Sequence, residues 1–227
     1  MRRRGLWLTL AALLVALAVV LVALSVRPVG AAMPPVSLRG KYPCVQVMDA
    51  VPALSAAGVH AAIVLPTGAL NTVWTTTALG ITNPSYYRNI TITGNDAVCL
   101  SNVRITGTDW SDNVRVSVLT GTGAATVEGQ VPYKTVTSIA VGSVAVPGGK
   151  TYTVGWGDYL GLYRPIAADT DVTQIALKAS AGTAWVVTAA GALPAGAAVS
   201  AANGTVLPET TITAADGYMI TYNASRW

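Results

Sequence analysis

The stretch Val103-Arg104-Ile105-Thr106-Gly107-Thr108-Asp109-Trp110-Ser111-Asp112-Asn113-Val114-Arg115-Val116-Ser117-Val118 decides the fold class of this chain. Val103 and Ile105 alternate with Arg104 and Thr106; further on, Val114, Val116 and Val118 alternate with Arg115 and Ser117. A period of two marks a strand, because successive side chains point to opposite faces. Residues 107–113 between the runs are rich in turn formers. The stretch therefore reads as a β-hairpin with a loop of moderate length.

Comparable runs cover residues 89–93, 135–141, 151–154, 171–178, 184–188 and 217–222. Glycine, proline and asparagine punctuate them, as in Pro147-Gly148-Gly149 and Gly155-Trp156-Gly157-Asp158. The alanine-rich residues 189–202 are interrupted by Gly191, Pro194 and Gly196, which favours loop or irregular strand over helix. No amphipathic helix follows residue 60, and no fixed-period repeat is visible. The expectation is an all-β domain, an antiparallel β-sandwich or barrel, over residues 59–227.

Residues 6–26 carry no charged side chain. A helix of that length spans about 31 Å, the thickness of a bilayer's hydrocarbon core. Arg2, Arg3 and Arg4 precede it and only Arg27 follows closely, which places the N-terminus on the cytoplasmic side. A cleaved signal peptide is the competing reading, since residues 29–32 offer small side chains, but its apolar core would be shorter. Residues 1–27 are thus read as a single N-terminal transmembrane anchor. Residues 28–58, with Pro28, Pro34, Pro35, Pro43 and Pro52, are read as an extended connector.

Composition removes several function classes. Hydrophobic residues make up 52% and charged residues 11%, the reverse of a disordered chain. The net charge is +4, but without Arg2–Arg4 eleven Lys and Arg face ten Asp and Glu, scattered along the chain. Nucleic acid binding needs clustered cations and has no support here. His60 is the sole histidine, no G-x-S-x-G elbow occurs, and Glu128 and Glu209 stand far apart. No glycine-rich loop opens a helix to cradle phosphate. Catalysis, cofactor and small-molecule substrate therefore find no address.

Oxygen-rich segments do exist: Asp169-Thr170-Asp171 with Asp158, and Asp109, Asp112 and Asn113 in the hairpin loop. They read better as turn residues than as a calcium site, so no metal is assigned. Cys44 and Cys99 are the two cysteines, able to form one disulfide beyond a membrane or to remain separate small buried residues. Sequons occur at Asn89, Asn203 and Asn223 and decide nothing without the host. With no Phe, every aromatic carries a polar handle, which suits subunit contacts or a sugar platform. Tyr86, Tyr87, Trp110 and Trp156 are the candidate interface residues, with core packing as the alternative for each.

The order Ile81-Thr82-Asn83-Pro84, Arg88-Asn89-Ile90-Thr91-Ile92-Thr93-Gly94-Asn95, the hairpin, Lys134-Thr135-Val136-Thr137-Ser138-Ile139 and Gly155-Trp156-Gly157-Asp158-Tyr159-Leu160-Gly161-Leu162 is also informative. With the closing Ile212-Thr213-Ala214-Ala215-Asp216-Gly217-Tyr218-Met219-Ile220-Thr221-Tyr222, it resembles small β-rich structural proteins of bacteriophage virions, of the head-decoration and minor-capsid kind. The N-terminal apolar segment departs from that pattern. It fits a virion that contains a membrane, or a prophage-derived protein on a cell envelope. The resemblance implies a non-enzymatic virion structural protein that docks its β-domain onto a protein shell, as a homo-oligomer or in a capsid lattice. The alternative is a membrane-anchored envelope module that recognises glycan or another surface partner.

Overall fold

The computed structural model describes residues 40–145, 148–178, 184–187, 193–209, 212 and 216–225. Fourteen strands account for the regular structure, with one 3₁₀ turn at Asp169–Asp171, so the all-β expectation holds among the described residues. The proposed anchor and residues 28–39 of the proposed connector lie outside them. No helix among the described residues is long and apolar enough to cross a membrane.

Three antiparallel sheets form among the described residues. The hairpin strands β5 (Asn102–Thr108) and β6 (Val114–Thr120) join β8 (Thr135–Gly142) and β3 (Trp74–Thr77) in the order β3-β8-β5-β6. The central sheet holds β4 (Arg88–Gly94), β7 (Thr126–Tyr133), β9 (Thr151–Gly161), β12 (Ala198–Ser200) and β13 (Thr205–Leu207), in the order β12-β13-β9-β4-β7; β2 (Ser55–Val64) also pairs with β9. The last sheet runs β1-β14-β10-β11, with β1 at Tyr42–Val51, β14 at Asp216–Ala224, β10 at Val172–Lys178 and β11 at Val186–Val187.

Two apolar clusters form the interior of the described residues. The first takes Ile90, Ile92, Tyr152 and Val154 from the central sheet against Val103, Ile105, Ile139 and Val141 from the hairpin sheet. These sheets therefore pack face to face, as sandwich layers do. The second gathers Met48, Ile175, Ile220 and Tyr222 around Leu160 and Val206. Strand β9 supplies residues to both clusters.

Two expectations are corrected. Residues 42–51 and 55–58, assigned to the connector, are strand. Gln46 faces inward, donating to the Gly161 carbonyl at 3.0 Å and accepting from the Tyr163 amide at 3.0 Å, while Val45 and Val47 face out. A buried glutamine between exposed valines inverts the usual pattern, and the flanking prolines give the segment the composition of a connector. Gly155-Trp156-Gly157-Asp158, read as a break, is the middle of β9. A Cβ on Gly155 would lie 1.7 Å from the Ser55 carbonyl oxygen, so glycine here lets β2 cross closely rather than ending the strand.

Candidate functional site

The hairpin loop is built by Asp109. Its amide donates to the Asn113 carbonyl at 3.0 Å, and its Oδ1 accepts from the amides of Ser111 at 2.9 Å and Asn113 at 3.0 Å. Its Oδ2 pairs with Arg115 Nε at 3.3 Å. Asp112 takes the left-handed conformation, φ 63°, which aspartate tolerates better than most residues. This five-residue connection fixes the register Val103↔Leu119, Ile105↔Ser117 and Gly107↔Arg115.

That register decides which face the valines occupy. Residues directly opposite in an antiparallel pair share a face. Val103 and Ile105 are fully buried, so Leu119, Ser117 and Arg115 turn inward with them. Val114, Val116 and Val118 turn outward with Arg104 and Thr106, and are 75%, 55% and 54% exposed. Trp74 on β3 is also exposed, and the Arg104 guanidinium carbon lies 5.7 Å from its ring centre. The outer face of this sheet thus carries a row of three valines on β6, flanked on β5 by threonines and the Arg104 cation. These residues were not singled out as a contact surface from sequence; a hairpin register would have been needed to find them.

The four aromatic candidates are placed differently. Tyr87 is buried, and the Tyr86 hydroxyl donates to the Asp49 carbonyl. Trp156 lies within β9, packs against the first cluster and donates from Nε1 to the Ala53 carbonyl at 3.0 Å. Trp110 at the hairpin tip is 41% exposed and stacks on Tyr163, with ring centres 3.8 Å apart and planes 12° from parallel. Tyr87 is 6.5 Å away, and Lys134 Nζ stands 5.6 Å from the Trp110 ring. A cleft of about 150 Å³ opens beside this stack, lined also by Arg115 and Asn203.

The carboxylates serve main-chain groups. Asp171 accepts from the amides of Ala167 and Ala168 and pairs with Lys41, and Asp169 accepts from the Ala201 amide at 2.7 Å. Asp112 pairs with Lys134 at 2.7 Å. No group of three or more His, Cys, Asp or Glu able to hold a metal ion occurs among the described residues. Cys44 and Cys99 are free thiols belonging to different clusters, so the disulfide considered from sequence is not formed. Asn89 is fully buried in β4, out of reach of a glycan.

Sequence reasoning missed one polar junction. Arg88, 1% exposed, donates to the carbonyls of Gly157 and Pro52 and lies 3.7 Å from Asp158. Glu128 accepts from Asn89 Nδ2 at 2.9 Å and from the Asp158 amide at 3.0 Å, and Glu209 accepts from the Tyr218 hydroxyl. Burial pushes Arg88 down to about 10 and pushes Asp158 up, against their mutual attraction. The junction ties β4, β7 and β9 together through main-chain groups.

Asp109 supplies a pH prediction. Burial pushes its carboxyl up, but hydrogen bonds from Asn113, Ser111 and Arg115 outweigh burial and hold it below its ordinary value. Its stabilising contribution is present above the unfolded value of about 4 and is lost as pH falls through the lower folded value. Asp109→Asn should flatten the acid limb of the stability curve in that window, as measured by denaturant unfolding between about pH 2 and about pH 5. An unchanged acid limb would rule out this role for the carboxylate.

No family model, no curated protein and no solved structure matches this chain.

Proposed function

We propose that this protein is a non-enzymatic structural component of a virion, presenting its β-domain to a protein shell. The observation that carries the reading is the outward row Val114, Val116 and Val118 on an edge strand, with Arg104 as the cation on the neighbouring strand. Apolar rows of this kind are normally covered by another protein surface. An N-terminal apolar anchor would hold the chain at a membrane within or around the particle. The resemblance of the strand-and-turn order to phage virion proteins supports the same role.

A glycan-binding module fits the aromatic geometry less well. A sugar platform needs a free ring face, and Trp110 gives one face to Tyr163 while Trp156 is seated against β2. Mass spectrometry of purified, nuclease-treated particles tests the proposal: the chain should be present at a fixed copy number. Its absence from particles removes the virion reading.

A further inference from the structure

We propose that two copies of this chain associate through β6, the two strands pairing antiparallel across a twofold axis to make one continuous sheet. This deepens the assembly reading above, and rests on it only in supposing that an exposed edge has a protein partner. A strand at a sheet edge presents unpaired main-chain donors and acceptors, and native folds blunt such edges with brevity, proline, bulges or outward lysine.

The other described edge strands carry those devices. β1 has Pro43, a register shift between Met48 and Val51, and a left-handed Ala50. β7 contains Pro132 and faces a shift between Asn89 and Thr91. β2 has two shifts against β9. β3, β11 and β12 span four, two and three residues. β6 has none of them: seven residues, unbroken register against β5, no proline, and three outward valines.

Charge and shape select a second copy as occupant. The only charged side chain of β6 is Arg115, which turns inward and is held by Asp109. A twofold register centred on Ser117 pairs all seven residues with their symmetry mates. It sets Val116 opposite Val118 of the second copy, so the apolar row doubles in length. Arg115 then meets Leu119 rather than another arginine. Arg104, one strand further in, is three strand spacings from its mate and offset by two residues along the strand, about 16 Å away at ordinary sheet dimensions and beyond the screening length. An isologous contact of this kind closes on itself and needs no second surface.

Sedimentation of the full chain in density-matched detergent, over a concentration series, tests this. The native chain should be dimeric. Val116→Lys places an outward lysine on an exposed site and should weaken the dimer at least tenfold, with unchanged circular dichroism and melting. Val45→Lys, on the exposed face of β1, should leave the dimer intact. A native monomer overturns the proposal, as does a dimer insensitive to Val116→Lys or dissolved by Val45→Lys. A monomer whose chain is nonetheless found in particles would overturn the β6 pairing and leave the virion reading standing; a β6-dependent dimer absent from particles would do the reverse.

Discussion

Arg88→Met is expected to lower the unfolding free energy by about 3–5 kcal/mol, the range for removing one partner of a buried ion pair. The substitution leaves the Gly157 and Pro52 carbonyls without their donor and Asp158 buried without its cation. Asp158 already sits above its ordinary value because burial outweighs the attraction of Arg88. Without the guanidinium its folded value rises further. A group whose folded value is raised contributes stability at pH below the unfolded value, and that contribution disappears as pH rises through the folded one. The variant should therefore be least impaired near pH 4 and lose stability towards neutrality. Asp158→Asn in the Arg88→Met background should recover part of the loss at pH 7, because it removes the unpaired charge. Urea unfolding across pH measures both effects. A loss below ~0.5 kcal/mol, within the range of an ordinary surface change, would mean that the junction is not closed to water.

Gly155→Ala should rank next, at about 3 kcal/mol, the upper part of the usual range for overpacking. The added methyl would meet the Ser55 main chain rather than a movable side chain, so β2 must shift along with Val59 and Ile63, which belong to the first apolar cluster. Gly40→Ala, with open space around the new methyl, is the control and should change stability by less than ~0.5 kcal/mol. Equal midpoints for the two variants would refute the close crossing of β2 over β9.

These two sites also mark the limits of the sequence. The hairpin was legible because both arms alternate and turn formers lie between them. Its faces were not, because facing depends on loop length. A connection that pairs odd with odd residues turns Val114, Val116 and Val118 out, and one residue more or less would have turned them in. β1 was hidden by its prolines and by Gln46, a polar side chain satisfied inside by Gly161 and Tyr163. β9 was cut short because its glycines serve close approach rather than turning. Glu128 and Asp158 meet around Arg88 only through sheet pairing between distant segments, which no spacing rule reveals. The aromatic residues stood out by type, yet three of the four are held within the subunit by hydrogen bonds or burial.

Strand β1 pairs along most of its length with β14, from Tyr42↔Ala224 to Val51↔Asp216. The first described strand thus waits for the last. At ribosomal rates of about 5–20 residues per second, roughly ten to forty seconds separate their synthesis. The first apolar cluster is complete once β9 has emerged, whereas the second cannot close until β14 arrives. Folding should therefore proceed in two stages on the ribosome, with the N-terminal strand exposed throughout the first. A chain truncated before Asp216 should retain protection from hydrogen exchange in β4, β5 and β8 while β1, whose partner strand is β14, exchanges freely. The order of synthesis, rather than the final packing, sets the interval in which this protein is most vulnerable to proteases and to mispairing with its neighbours.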